Sequence, residues 1–112
     1  SFGHALERYV NNKIPHGVAV AYGINISNFI SYKLGFLKKK QFIKIQSDLK
    51  EIYKVKKTPR VNIKKYIKFL EKDKKNIENK IRVILSRGPG KMFLFKFQNN
   101  KKLAKILNIY FN

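Results

Sequence analysis

The sequence of 112 residues has no cysteine, and acidic residues are scarce, with 6 Asp and Glu against 26 Lys and Arg. The absence of cysteine excludes a disulfide framework, a thiolate metal site and a catalytic thiol, and it fits a reducing compartment. No run approaches the roughly 18 consecutive apolar residues that a membrane-spanning helix needs. We therefore expect a cytoplasmic protein that does not enter a membrane.

The excess of basic residues gives a formal net charge of +20, which by itself would suit a polyanionic partner such as nucleic acid. Lysine greatly outnumbers arginine, however, and it is accompanied by abundant Asn and Ile, the bias of an AT-rich coding sequence. A basic helical module that binds nucleic acid stays open as an alternative. The spacing of Phe29, Phe42, Tyr66 and Phe69 predicts burial in helices rather than exposure for base stacking, so we do not expect a nucleic-acid partner.

Hydrophobic periodicity predicts a mainly helical chain. Residues 17–34 are apolar on nearly every face, which indicates a buried helix that ends at Gly35. The segment 38–53 has the pattern of a surface amphipathic helix, and Asn62 is suited to cap a helix that runs to about residue 72. Residues 73–80 are expected to form an exposed loop or a last helical turn.

The period changes in the C-terminal third of the sequence. Residues 81–85 and 92–97 are β-branched or aromatic runs separated by a glycine-containing turn, which predicts a short hairpin. A last amphipathic helix follows Asn99 or Asn100 and should bury four apolar residues, Leu103, Ile106, Leu107 and Tyr110. The predicted fold class is mainly α, a small helical bundle with one short β-hairpin, in a single domain over residues 1–112.

The two histidines of the chain, His4 and His16, lie in the segments FGHALE (2–7) and HGVAVAYG (16–23). Each histidine adjoins a glycine and lies close to other small residues that permit close approach. Taken alone, His4 would be an ordinary structural histidine and His16 a surface residue at the start of a helix. Lys74 and Lys75, in a chain this basic, would be solvated surface residues.

These segments resemble the C-terminal domain of 3-dehydroquinate synthase and of the wider sugar phosphate cyclase family. The family signatures run Gly-His-Thr-x-Gly-His-Ala-x-Glu and His-Gly-Glu-Ala-Val-Ala-x-Gly. The match begins inside the first signature, so that its first histidine would stand immediately before Ser1. The resemblance therefore implies a fragment, the C-terminal domain of a two-domain enzyme whose N-terminal α/β domain is missing.

The resemblance also implies a role for each candidate residue. His4 is expected to be a catalytic residue that transfers a proton, a task that suits imidazole. His16 is expected to be a ligand of Zn²⁺ or another divalent metal such as Co²⁺, together with the missing histidine and a glutamate of the N-terminal domain. Lys74 and Lys75, in an Asp-Lys-Lys motif, are expected to bind the anionic end of the substrate.

The implied reaction is the NAD-dependent conversion of 3-deoxy-D-arabino-heptulosonate 7-phosphate to 3-dehydroquinate with elimination of phosphate, in the shikimate pathway. The resemblance implies that NAD is bound mainly by the missing domain, which precedes this one in the family. Gly88-Pro89-Gly90 is not expected to be a phosphate loop, because it lacks the strand-to-helix context of one. The fragment alone should be inactive, and the full enzyme should be a homodimer.

One departure from the signatures is Val18, which stands in place of their glutamate. Because of it, another cyclase that makes a different cyclitol and an inactive relative remain open as alternatives. A partner-binding or regulatory remnant of a cyclase is a separate alternative.

Overall fold

The computed structural model describes residues 1–54, 58–72 and 80–112. Its elements in chain order are α1 (Phe2–Tyr9), α2 (His16–Lys33), α3 (Lys39–Tyr53), α4 (Ile63–Glu71), β1 (Arg82–Ser86), β2 (Met92–Lys96) and α5 (Asn100–Phe111). The predicted fold class, a small helical bundle with one short hairpin, is confirmed. Most of the segment expected to be a loop or helical turn, residues 73–79, lies outside the described residues.

The helix ends follow from local hydrogen-bonding chemistry. The side chain of Ser1 accepts a hydrogen bond from the backbone nitrogen of His4 at 3.2 Å and thereby caps α1. Asn62 caps α4 as predicted, accepting from the nitrogen of Lys65, and Asn99 caps α5.

Gly35 has a φ of +85° just after α2. Glycine adopts this left-handed conformation without the steric cost of a Cβ atom, so it ends the helix.

Helix α2 is the centre of the fold and packs against α1, α3, α5 and β1. Ile26 and Ile30 on it are completely buried. The prediction of burial on nearly every face was wrong for one side, because Val20 is 38% exposed and Ile24 is 42% exposed. No described element packs over this side, which faces an open groove.

Several apolar side chains outside α2 are exposed or only half-buried. Among the described elements α3 contacts α2 alone, so only Phe42 of its apolar residues is fully buried. Ile52, near its end, is 70% exposed. In the hairpin, whose register pairs Ile84 with Leu94, both of these apolar side chains lie on the outer face and are exposed. On α5, Tyr110 is half-buried rather than buried.

Buried polar groups join elements that are distant in sequence. The hydroxyl of Tyr66, on α4, donates to the carbonyl oxygen of Phe2 at 2.7 Å and is completely buried. Ser31, on α2, is also completely buried, and its hydroxyl oxygen accepts from the backbone nitrogen of Ser86 at 3.0 Å. These bonds fix α1 to α4 and the hairpin to α2. No helix in the described part of the chain is long and apolar enough to cross a membrane.

Candidate active site

The two helices that carry the histidines pack with their backbones in near contact. A Cβ atom added to Gly3 would lie 2.6 Å from the carbonyl oxygen of Ala19, and one added to Gly23 would lie 2.7 Å from the nitrogen of Gly3. Both distances are too short for a real Cβ atom. The glycine next to His4 therefore serves the packing of α1 on α2.

The connection between these helices turns the chain back on itself. Asn11 and Asn12 both adopt left-handed backbone angles, with φ of 56° and 59°, a conformation that asparagine tolerates better than most residues. Pro15 then precedes the first residue of α2, His16. Because of this turn, the start of α2 returns to the last turns of α1, and His16 meets a side chain of α1.

That side chain is Glu7. The Nδ1 atom of His16 lies 2.9 Å from Oε1 of Glu7. The His16 side chain is 78% exposed, whereas that of Glu7 is only 16% exposed. A carboxylate has no proton to donate, so the hydrogen of this bond belongs to Nδ1 of the imidazole.

His4 lies three residues before Glu7 on α1, and this spacing places both on the same side of the helix. Its neighbours Phe2, Ala5 and Leu6 are buried, while His4 itself is exposed. The structure brings His4, Glu7 and His16 to the wall of one groove. Glu7, which sequence reasoning did not single out, lines the groove beside the two histidines.

The groove has a volume of about 960 Å³ and lies between the N-terminal part of α1, one side of α2 and the hairpin. Much of its lining is apolar and exposed. The exposed apolar residues are Val20, Ile24, Ile84, Met92 and Leu94. The sequence analysis predicted the hairpin but gave it no part in the functional site. The signal it missed is that apolar residues also occur on the second face of the hairpin, with Ile84 on β1 and Met92 and Leu94 on β2.

The turn of the hairpin also lines this groove. Gly88-Pro89-Gly90 connects two strands, as the sequence indicated, and not a strand to a helix. Arg87 packs its guanidinium over the ring of Phe93 at 4.5 Å. This arrangement fixes the turn by packing, and it has no helix N-terminus to receive a phosphate.

The residues present can supply part of a metal site. Within the ranges that the structure describes, no group of three or more His, Cys, Asp or Glu side chains is arranged to hold a metal ion. His16 nevertheless fits the role of one ligand, because its Nδ1 is engaged by Glu7 while the ring is exposed. Lys74 and Lys75, the predicted substrate ligands, lie outside the described residues.

Val18 occupies the position of the glutamate in the second signature that the sequence resembles. It is half-buried and packs against the core. The side chain at this position therefore contributes to packing and offers no carboxylate to the groove. Glu7 is the carboxylate that the structure places against His16.

Comparison with known proteins supports the resemblance. The family model described as "3-dehydroquinate synthase C-terminal" matches residues 1–76. A 3-dehydroquinate synthase of Thermodesulfovibrio yellowstonii is 34% identical over 110 residues, and one of Picrophilus torridus is 32% identical over 108. Each alignment covers 96% of this chain and 31% of the relative, so the chain spans about a third of the length of these curated relatives.

Proposed function

The chain belongs to the 3-dehydroquinate synthase C-terminal family, and we propose that it is the C-terminal part of a lyase that converts 3-deoxy-D-arabino-heptulosonate 7-phosphate to 3-dehydroquinate with release of phosphate. One observation carries this proposal beyond family membership. His4 and His16, the two residues to which the resemblance assigns chemistry, line the same groove.

His4 is proposed to move a proton during the reaction. Its ring is exposed, so a bound substrate can reach it. Its backbone is held by the bond from its nitrogen to Ser1 Oγ and by the close packing of Gly3 on α2. A histidine held in this way can act as general acid or base, because imidazole exchanges protons near neutral pH.

His16 is proposed to hold a divalent metal ion, Zn²⁺ or Co²⁺, through its Nε2 atom. A bound divalent ion would supply Lewis-acid polarisation of a substrate oxygen. A catalytic zinc site commonly has three protein ligands, and the described residues provide one histidine with a suitable environment. The other ligands are therefore proposed to come from the part of the enzyme that lies outside this chain.

Lys74 and Lys75 are proposed to bind the anionic end of the substrate. Both belong to the 1–76 stretch that matches the family model, and Asp73 precedes them as in the family's Asp-Lys-Lys motif. A sugar phosphate is strongly anionic, so a lysine pair that contacts it would contribute both attraction and charge neutralisation.

The remaining two thirds of the enzyme are proposed to supply the NAD site and to close the groove. In the segments that the structure describes, no glycine-rich loop joins a strand to the N-terminus of a helix, which is the arrangement that binds dinucleotides. The apolar wall formed by Ile24, Ile84 and Leu94 would be covered by this N-terminal part. We further propose that the chain alone is inactive, and that the full enzyme is a cytoplasmic homodimer.

Phosphate release from the substrate, in the presence of NAD and Zn²⁺ or Co²⁺, tests the proposal on the protein expressed in its full coding context. The variant His4→Gln should reduce kcat by about 10²–10⁴-fold, the contribution of a positioned acid or base. Arg8→Gln is a matched control, since Arg8 is exposed on the same helix and does not line the groove. The proposal fails if the wild-type protein releases no phosphate, or if His4→Gln is as active as Arg8→Gln.

A further inference from the structure

We propose that Glu7 is a positioning residue for the metal ligand: its carboxylate holds His16 as the Nδ1–H tautomer and so leaves Nε2 free to bind the ion. This inference rests on the proposed function for the identity of the bound ion. The contact that orients His16 and sets its tautomer lies within this chain.

The geometry of the pair supports a fixed orientation. The distance of 2.9 Å between His16 Nδ1 and Glu7 Oε1 is that of a good hydrogen bond. Glu7 is 16% exposed and belongs to a regular turn of α1, so its side chain has limited freedom. His16 is 78% exposed and needs such a partner, because the ring of an exposed histidine at a helix start would otherwise rotate freely.

The hydrogen bond between Glu7 and His16 determines which imidazole nitrogen can bind a metal ion. A neutral imidazole carries one proton, so a proton held on Nδ1 leaves a lone pair on Nε2. Metal-binding histidines in proteins commonly donate their other N–H to a carboxylate, which fixes the tautomer and raises the basicity of the ligand atom. Glu7 is placed to do this from α1 while His16 belongs to α2.

Because Val18 replaces the glutamate of the related signature, Glu7 is the more important carboxylate for His16 in this chain. The related signature places a carboxylate two residues after the histidine, whereas Val18 is packed against the core. Support of His16 by a carboxylate therefore depends on Glu7, whose contact with the ring is direct.

A purely structural role is the competing explanation. In that case the Glu7–His16 pair would only join α1 to α2, and which nitrogen of His16 carries the proton would have no influence on metal binding. Exposed ion pairs of this kind add little to stability. Metal affinity separates the two explanations, since a structural role predicts no change in affinity when the Glu7 carboxylate is removed.

The first experiment is ¹⁵N–¹H NMR of the imidazole rings of the 112-residue chain, about two pH units above the usual histidine pKa. The chain has two histidines, so His4 is an internal reference beside His16. We expect His16 to show the Nδ1–H tautomer and to lose this preference in Glu7→Gln, while the control Glu51→Gln, at an exposed position of α3, leaves it unchanged. An Nε2–H signature for His16 in the wild type overturns the proposal even if the variant fails to fold.

The second experiment follows Co²⁺ binding to the protein in its full coding context, by visible absorption. Glu7→Gln should weaken Co²⁺ affinity by about 10–100-fold, the usual effect of losing an outer-shell partner, and Glu7→Asp should restore part of it. Equal affinity in wild type and Glu7→Gln overturns the proposal. If Co²⁺ binds with this pattern but no phosphate is released, the proposed function fails and the role of Glu7 stands; if phosphate is released and the affinities are equal, the reverse holds.

Discussion

Gly23 of α2 lies so close to Gly3 of α1 that a Cβ atom on Gly23 would be 2.7 Å from the Gly3 nitrogen. The small residues near the histidines suggested that something approaches closely, and at Gly3 it is the other helix. This contact sets the distance between α1 and α2, and with it the meeting of Glu7 and His16. The glycines therefore shape the candidate site through the packing of the two helices.

Substitution of Gly23 by alanine should destabilise the fold. The added methyl group would meet backbone atoms of Gly3, which cannot move aside as a side chain can, so we expect a loss of about 1–3 kcal/mol in the free energy of unfolding. Gly17→Ala is the control, since its Cβ would meet only the ring of Tyr53 at 3.8 Å. Because alanine favours helix, that control should gain about 0.5–1 kcal/mol. Urea denaturation measures the unfolding free energy of both variants. Equal changes in the two variants would contradict the close contact at Gly23.

Replacement of Ser31 by alanine should remove a hydrogen bond between α2 and the hairpin and so destabilise the fold. The backbone nitrogen of Ser86 would lose its partner, the completely buried hydroxyl of Ser31. The expected loss is about 1–2 kcal/mol of unfolding free energy. Ser47→Ala, at an exposed position of α3, should change stability by less than about 0.5 kcal/mol. A loss at Ser31 no larger than that of the control would show that the bond does not stabilise the fold.

Stability should fall in alkali because of Tyr66. Burial raises the pKa of this phenol above its usual value, with a smaller contribution from Tyr110. A group whose pKa is higher in the folded state stabilises the fold below its unfolded pKa of about 10, and this contribution is lost as the pH rises further. Above pH 10 the unfolding free energy should drop by about 1.4 kcal/mol per pH unit more in wild type than in Tyr66→Phe. Parallel curves for the two proteins would refute this.

Tyr110 should also lower the stability of the fold in alkali, but only over a limited pH range. Burial raises its pKa to about 12, opposed by the hydrogen bond from Asn25 and assisted by Tyr22. Relative to Tyr110→Phe, the wild type should therefore lose its extra stability between about pH 10 and pH 12 and no further beyond. Stopped-flow unfolding at fixed alkaline pH values would measure the difference. A difference that does not change with pH would contradict burial as the cause.

The apolar wall of the groove should matter for the full enzyme and not for this chain alone. Leu94 is 63% exposed, so Leu94→Lys should leave the unfolding free energy of the chain within about 0.5 kcal/mol of wild type. In the full coding context it should reduce kcat/KM by more than about tenfold, because a charge would be buried at the proposed contact. Ile109→Lys is the control, at a residue that is 54% exposed and does not line the groove. Equal activity of the two variants would contradict coverage of the groove.

The helical elements could be predicted from sequence because their signals are local. Asn62, Asn99 and Gly35 lie at helix ends whose hydrogen bonds and backbone angles involve only neighbouring residues. The burial of α3 and of the hairpin could not be predicted in the same way. Whether Ile52 or Leu94 is covered depends on which other element lies above it, and periodicity carries no information about that.

The sequence by itself determined the order and type of the elements from residue 17 onward and, through the two histidine segments, the family resemblance. The tertiary structure decided that His4, Glu7 and His16 share one groove and that Nδ1 of His16 is bound to Glu7. The physical reason is that this meeting depends on the turn at Asn11 and Asn12 and on the backbone contact of α1 with α2. Such long-range geometry follows from packing, which local patterns in a sequence do not specify.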